Sequence, residues 1–515
     1  MSGLHFRLYA AFAAIVMIAT SLIVVLRPKP RAACCAMPRA THAREVQATP
    51  HAADGPSLPR PQHVEYIAAG GGPTPEYNQK SLEDDVALAT EVFGSGRGVV
   101  LFAGGLGSAA VQVLSDDAPN EDLRATLAEF FDARQGRDAH YEPMRIRVHG
   151  PATENAFRTE LTQALSDAND TSPLTLYIAG HGAGGATPSD SAIAFWGDGA
   201  MNAKALAQAM DATPQARTTR LIATTCFSGG LSQFVYPNAE PNLGPAAQDR
   251  CGFFATTWDE EASGCDPNPD RGAHEGYGVY FLHALRGQSR DGQTLPSSEI
   301  DLNNDHAISF LEAHTYALLH SGSIDIPTTT SEEFLSRVAA IAGEVDRITM
   351  PENDAVIAVL SARLGVAGDE ARARSELATR LQMLEAVREE ELPAADAEDD
   401  AYRVAVATIL HRYPVLDDPW HPDFESTLAN AEPWLTDFFT NSREIAEWTR
   451  AQAAVQAIEE RTEFLMVDSA PYQRLVRAFD ARTLAGRLHR ANTIHWQRYE
   501  RMLACERGIP NLGHD

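Results

Sequence analysis

The chain has little positive charge. Lys29, Lys80 and Lys204 are its only lysines, and 42 basic residues stand against 70 acidic ones, which gives a formal net charge of −28. Such a charge repels phosphate backbones and anionic lipid headgroups, and no stretch of the sequence concentrates basic residues enough to override it. We therefore expect no nucleic-acid partner.

Cysteine is also scarce. Six cysteines in 515 residues do not make a disulfide scaffold, and the absence of a CxxC spacing leaves a structural zinc site without support. The composition, 44% hydrophobic and 22% charged, excludes collagen-like, wholly disordered and multi-span membrane proteins. At roughly 150 residues per domain, the length predicts about three folding units.

One long apolar run stands at the N-terminus, where Leu8–Leu26 carries no charge. This length is enough to cross a bilayer as a helix, and basic residues follow it directly in place of a cleavage site. The sequence therefore predicts an uncleaved single-pass anchor at residues 1–27, with a removed secretory signal as the alternative. A Pro/Ala-rich tether at 28–63 follows the anchor.

Two signals disagree on the side of the membrane. Arg27, Lys29 and Arg31 follow the span whereas Arg7 alone precedes it, which favours a cytoplasmic position for the large domain. The tether and a candidate disulfide between Cys251 and Cys265, for which two buried thiols are the alternative interpretation, favour an oxidising compartment. The balance favours the extracytoplasmic side.

Residues 64–347 alternate short apolar runs with helical stretches, which predicts an α/β domain with a largely parallel sheet. The predicted strands are Val99–Ala103, Met144–Val148, Leu174–Ala179, Leu221–Thr225 and Gly252–Thr256. The predicted helices are Leu123–Arg134, Glu154–Ala168 and Ala203–Asp211. Residues 348–515 are rich in Ala, Glu, Arg and Leu at helical spacing and predict an all-α C-terminal domain whose partner is unknown. The acidic stretch Glu389–Asp400 is predicted to be a solvated linker between helices, with an interaction segment as the alternative.

Two strand ends carry reactive side chains. The run Leu174–Ala179 stops at Gly180-His181-Gly182, and Leu221–Thr225 stops at Cys226-Phe-Ser-Gly-Gly. The carboxyl ends of neighbouring parallel strands meet at one sheet edge, so an imidazole and a thiol are expected to lie together there. A structural histidine and a buried, inert cysteine are the alternative interpretation.

This pairing suits nucleophilic catalysis. A thiol is mostly protonated at neutral pH, and a nearby histidine accepts its proton, so His181 would serve as general base and Cys226 as nucleophile. The backbone N–H groups of Gly182 and Cys226 would form the oxyanion hole of a tetrahedral intermediate.

A strand ending in His-Gly, followed by one ending in Cys-x-Ser-Gly, resembles the caspase, metacaspase and legumain clan of cysteine peptidases. The run Phe254-Ala-Thr-Thr257 leading to Ala262-Ser-Gly-Cys-Asp266 is similar to legumain in particular. The resemblance covers roughly residues 90–320. It implies a caspase-like fold, hydrolysis of peptide or protein substrates, and no cofactor for the His181–Cys226 dyad.

The chain departs from these families beside the nucleophile. Thr224 stands where metacaspases have Asp, and Thr225 where legumains have Glu, so the cleavage specificity stays open, with Arg or Asn favoured over Asp. One wall of the substrate pocket, which would set the cleavage specificity and is called the specificity wall below, is predicted at Ser263, Asp259, Glu260, Glu261 and Asp266. The alternative is an acidic surface loop.

A second motif, Asp301 to Glu312, has the oxygen spacing of a calcium loop. Its ligands would be Asp301, Asn303, Asp305, the Ala307 carbonyl, Ser309 and Glu312. The sixth position is His306 where glycine is expected, and this position needs a left-handed backbone. The alternative is a polar turn that caps the helix Phe310–Leu319.

Two other functions compete with the peptidase. One is an inactive caspase-like scaffold. The other is a dinucleotide-binding protein, since Gly105-Leu-Gly107-Ser-Ala-Ala110 follows a predicted strand and could hold a pyrophosphate at a helix start. Against it, Ser115–Pro119 cuts the following helix short, and small residues after a first strand are common for packing alone.

Overall fold

The computed structural model describes residues 57–106, 110–114, 123–131, 139–166, 170–213, 217–265, 276–338, 341–418 and 421–512. The predicted anchor at 1–27 and most of the tether at 28–63 lie outside these residues. Within the described ranges, no helix has the length and apolar character needed to cross a membrane.

The chain is a mixed α/β protein whose C-terminal region is helical. The strands are β1 (Tyr66–Gly71), β2 (Gly98–Phe102), β3 (Ala110–Leu114), β4 (Ala139–Pro143), β5 (Leu174–Gly180), β6 (Gly182–Ala183), β7 (Ala192–Ala194), β8 (Ala200–Asn202), β9 (Thr219–Ala223), β10 (Arg250–Phe254) and β11 (Thr328–Thr329). The helices are α1 (Lys80–Phe93), α2 (Leu123–Phe131), α3 (Glu154–Leu165), α4 (Ala203–Asp211), α5 (Tyr277–Arg286), α6 (Ser297–Ile300), α7 (Phe310–His320), α8 (Thr330–Arg337), α9 (Pro351–Arg363), α10 (Glu370–Arg412), α11 (Phe424–Asn441), α12 (Arg443–Ala491) and α13 (Ile494–Glu506). Short 3₁₀ helices form at Pro75–Tyr77, Pro188–Asp190, Ser228–Val235, Pro237–Ala239 and Pro241–Leu243.

The central sheet has six strands in the order β11-β10-β9-β5-β1-β2. All neighbours are parallel except β10 and β11, which confirms the predicted, largely parallel sheet. Its strands are buried along their length because helices cover both faces, which explains why they read as continuous apolar runs.

Two hydrophobic cores flank this sheet. Along β1, Tyr66 and Ala68 enter one core, whereas Ile67 and Ala69 enter the other, as the alternation of a strand requires. The first core includes apolar side chains of α1, α5 and α7, and the second includes those of α3 and α4.

Two predicted elements are wrong. Met144–Val148 is not a strand: the N–H groups of Arg145 and Ile146 bond to the buried carboxylate of Glu83 instead of a neighbouring strand. The predicted linker Glu389–Asp400 lies inside α10, which continues through Pro393. The acidic stretch lies along α12, where the exposed Arg461 side chain donates to Glu390.

The last helices pack on the α/β core. Leu488 of α12 and Tyr499 and Met502 of α13 belong to the same core as the strand residues Leu221 and Phe254. Farther from the sheet, α12 packs along α10. The C-terminal region therefore shares its hydrophobic core with the sheet over part of its length.

Candidate active site

The structure places His181 and Cys226 beyond equivalent positions of adjacent strands. Ile178 of β5 pairs with Ala223 of β9 in parallel register, and His181 and Cys226 each follow three residues later. The predicted neighbour relation of these two strands is confirmed. Both side chains are buried, at 1% and 2% exposure, at the carboxyl edge of the sheet.

Glycines allow the two strand ends to touch. A Cβ atom on Gly182 would lie 2.1 Å from the carbonyl oxygen of Cys226, and one on Gly184 would lie 2.8 Å from the ring of Phe227. Real Cβ atoms do not approach other atoms so closely. Any larger residue at 182 would therefore push the histidine-bearing segment away from the cysteine-bearing one.

The His181 ring is held by the loop after β1. Its Nε2 atom lies 2.9 Å from the carbonyl oxygen of Tyr77 and 2.9 Å from Oε1 of Gln79. Both partners are acceptors in this orientation of the Gln79 amide, so Nε2 carries the hydrogen and Nδ1 is the nitrogen that can take a proton. The Tyr77 ring also meets the imidazole edge to face, with 5.6 Å between centroids.

Tyr77 and Gln79 are not among the residues predicted from the sequence. Gly70 and Gly71 shorten the apolar run at Tyr66–Gly71, so the pattern predicts no strand there and no polar site after it. The available signal is that the polar residues Asn78-Gln79-Lys80 come in the segment after an apolar run that ends at Gly71.

The Cys226 sulfur packs against the segment that follows β10. The Ala262 N–H donates to Sγ over 3.3 Å, and the Ala262 carbonyl oxygen lies 3.6 Å from the same sulfur. The Phe227 N–H donates to the Glu260 carbonyl oxygen over 2.9 Å. An N–H directed at sulfur stabilises a thiolate, the nucleophilic form of cysteine.

Phe227 has a left-handed backbone, with φ 58° and ψ 16°. This conformation is uncommon for a bulky residue, and here it turns the chain sharply from the end of β9 into the 3₁₀ helix Ser228–Val235. Strained residues of this kind cluster at functional sites. The turn holds Cys226 at the sheet edge.

The Cys226 sulfur is disulfide-bonded in this structure. A disulfide sulfur is not a nucleophile toward a peptide bond, so the predicted chemistry requires this bond to be reduced first.

The predicted specificity wall runs past Cys226. Asp259 is exposed and accepts a hydrogen bond from the Thr257 hydroxyl, whereas the Ser263 N–H donates to Asp325. Glu260 and Glu261 are partly buried in the same segment, and Asp266 lies outside the described residues. The wall remains a prediction.

The predicted disulfide between Cys251 and Cys265 is wrong. Cys251 in β10 is bonded to Cys505 in α13, with 6.0 Å between their Cα atoms, and Cys265 keeps its thiol. The two partners are 254 residues apart in sequence, and they meet because α13 packs against β10.

In the predicted calcium loop, side-chain oxygens accept hydrogen bonds from the loop's own backbone. Asp301 accepts from the N–H groups of Asp305 and His306, and Glu312 accepts from those of Leu302, Asn303 and Ser309. His306 has φ 68°, the left-handed backbone that the sixth position of a calcium loop needs. Ser309 caps α7 in a capping box with Glu312, as the alternative expects.

No group of three or more His, Cys, Asp and Glu side chains in the described part of the chain is arranged to hold a metal ion. Ala307 contributes its N–H to Asp305. Calcium binding at this loop stays a prediction.

Models of protein families and curated protein sequences offer no match to this chain. The glycine-rich segment after β2 also lacks the context that a dinucleotide site needs. Ala110, its last residue, begins strand β3 and does not open a helix. A Cβ on Gly105 would lie 2.8 Å from the nitrogen of Pro151, so this glycine serves close backbone packing.

Proposed function

We propose that the chain is a cysteine endopeptidase of the caspase and legumain type, with Cys226 as nucleophile and His181 as general base. The observation that supports it is the equivalent placement of these two residues beyond paired positions of β5 and β9. With Nε2 held by Tyr77 and Gln79, Nδ1 of His181 would be the nitrogen that takes the thiol proton.

The reaction then follows the chemistry of acyl transfer. The Cys226 thiolate attacks the peptide carbonyl carbon, and the N–H groups of Gly182 and Cys226 stabilise the oxyanion. The imidazolium of His181 donates its proton to the leaving amine, and water hydrolyses the thioester. No metal ion or organic cofactor enters these steps.

The disulfide state of Cys226 favours a second candidate, an inactive scaffold with the same fold. The two functions predict different effects of reducing the Cys226 disulfide on peptidase activity. A peptidase gains activity when a reductant frees the Cys226 thiol, whereas a scaffold stays silent. We propose a membrane-anchored, extracytoplasmic location for the peptidase, because the predicted anchor at 1–27 and the Cys251–Cys505 disulfide suit it.

The test uses the full-length chain in mild detergent with a reductant. A diverse peptide mixture is incubated with the parent, with Cys226→Ala and with Cys265→Ala, and the products are identified by mass spectrometry. We expect the parent and Cys265→Ala to cleave and Cys226→Ala to be silent, because Cys226 and His181 follow paired positions of β9 and β5.

Cys265→Ala is a matched control, since it removes a thiol from the same region without touching the dyad. Cleavage by Cys226→Ala would refute the proposed nucleophile. Silence of all three folded proteins in the presence of reductant would favour the scaffold. The residue preceding each cut would report the specificity.

A further inference from the structure

The carboxylate of Asp325 joins the two sides of the loop beside Cys226. Asp325 is fully buried; its Oδ1 accepts from the Ser263 N–H over 2.6 Å and its Oδ2 from the Tyr277 N–H over 2.8 Å. Ser263 directly follows Ala262, whose N–H donates to the Cys226 sulfur. Asp325 therefore holds the residue that follows Ala262, and Ala262 supplies the N–H that contacts the sulfur.

Arg474 of α12 holds the turn that carries Asp325. Its guanidinium donates to four carbonyl oxygens, and the side chain is 3% exposed. The acceptors are those of Leu318, Ser321, Ser323 and Asp325, at 2.8–3.0 Å. Burial lowers the pKa of Arg474 to about 10, so the group stays charged at neutral pH. A buried charge satisfied by backbone carbonyls fixes the path of that backbone.

We propose that Asp325 is a positioning residue for the Cys226 site and that Arg474 holds it in place, so that the last long helix is part of the catalytic unit. This inference rests on the proposed peptidase function for its consequence in catalysis. Its structural content, the control of the sulfur environment by Asp325 and Arg474, is measurable without any substrate.

The physical reason is the directionality of the hydrogen bond from Ala262 to the sulfur. This N–H stabilises the thiolate only while it points at Sγ, and bonds weaken steeply as they lengthen or bend. Releasing the Ser263 N–H frees the neighbouring peptide to rotate. The thiolate of Cys226 then loses a donor, and the reactive geometry is disturbed.

The test compares Asp325→Asn and Arg474→Lys with a matched control, Arg217→Lys, in the full-length chain. Arg217 is also a buried arginine that donates to four backbone carbonyls, those of Ala164, Ser172, Val64 and Pro173. It lies at the opposite end of the sheet, before β5 and β9 begin. Melting temperatures establish that each variant is folded at the assay temperature.

The first measurement is the pH profile of Cys226 alkylation by iodoacetamide under reductant, followed peptide by peptide by mass spectrometry. Cys265 in the same digest is the internal reference. We expect the midpoint of the Cys226 profile to move to higher pH in Asp325→Asn and Arg474→Lys and to stay in place in Arg217→Lys. If Arg474 only stabilised the fold, Arg474→Lys and Arg217→Lys would change the midpoint of the Cys226 profile equally.

The second measurement is peptide cleavage. Misplacing a reacting group by on the order of 1 Å costs about a hundredfold in rate, so we expect kcat to fall about tenfold or more in Asp325→Asn, with a smaller change in KM. If Asp325→Asn does not fold, Arg474→Lys carries both measurements.

Unchanged alkylation profiles in the folded Asp325 and Arg474 variants would overturn the inference. So would an equal shift in Arg217→Lys, since the effect would then reflect general destabilisation. A shifted profile in a protein that cleaves no peptide supports the positioning role and refutes the peptidase, so the two proposals fail separately.

Discussion

Cys251, in a central strand, is bonded to Cys505, in the last helix, across 254 residues of chain. Both sulfurs are buried, and the bond ties α13 to the sheet. Other contacts reinforce this junction: the Arg220 guanidinium donates to the Cys505 carbonyl oxygen, and the Phe310 N–H donates to that of Gly508. The C-terminus of the described chain is therefore part of the α/β core.

We expect Cys505→Ala to destabilise the protein by about 3–5 kcal/mol, because a bond that closes a very long loop removes much entropy from the unfolded chain. The measurement is the free energy of unfolding in urea without reductant. Cys265→Ala is the control, since Cys265 is not in a disulfide, and it should change stability far less. Equal effects of the two substitutions would contradict the role of the Cys251–Cys505 bond.

Gln79→Ala tests the support of the His181 ring. We expect kcat/KM for peptide cleavage to fall about two- to tenfold, the effect of one neutral hydrogen bond, because the Tyr77 carbonyl still accepts from Nε2. His181→Gln, by comparison, should lower it by about 10²–10⁴, as the loss of a general base does. A Gln79 variant as inactive as the His181 variant would show that Gln79 does more than orient the ring.

The buried carboxyl of Glu506 predicts a pH-dependent stability. Burial raises its pKa to about 8, and the neighbouring Glu332 also has a raised pKa. The unfolded chain releases the Glu506 proton near the ordinary value of 4.5, whereas the folded chain keeps it, so stability falls as the pH rises from about 4.5 to 8. One such group changes the free energy of unfolding by at most about 1.4 kcal/mol per pH unit.

Glu506→Gln removes this titration and keeps groups able to bond with Ser331, the partner of Glu506. We expect its melting temperature to depend less on pH than that of the parent and to exceed it at about pH 8. Glu500→Gln, on the exposed side of the same helix, is the control. A parallel pH dependence in parent and Glu506→Gln would refute the titration.

Glu312 is fully buried and accepts hydrogen bonds from three backbone N–H groups and the Ser309 hydroxyl. We expect Glu312→Ala to cost about 2–4 kcal/mol of stability, because several buried donors lose their acceptor. Glu344→Ala, which removes an exposed carboxylate, should change the urea midpoint little. A small effect of Glu312→Ala would show that water replaces its bonds.

The calcium prediction is checked in the same thermal assay. If the Asp301 loop binds Ca²⁺, adding the ion after chelator treatment raises the melting temperature of the parent, and Asp301→Asn abolishes the increase. No increase in the parent would leave the loop as the cap of α7, with Asp301 and Glu312 serving only the backbone.

The sequence determined most of the sheet and the place of the site. Continuous apolar runs predict buried parallel strands because such strands are covered on both faces, and four of the five predicted strands form within two residues of the expected positions. His181 and Cys226 were found because each follows such a run. The pattern fails at Met144–Val148, where a distant carboxylate, Glu83, takes the backbone N–H groups that a strand would need.

Only the tertiary structure decided the long-range partners. Sequence proximity favoured pairing Cys251 with Cys265, but disulfide partners are chosen by distance in the fold, and helix α13 brings Cys505 to β10. The same holds for Gln79 beside His181 and for Arg474 around the turn that carries Asp325. Local patterns report which face of a strand or helix is buried, whereas contacts between distant segments depend on how whole elements pack against one another.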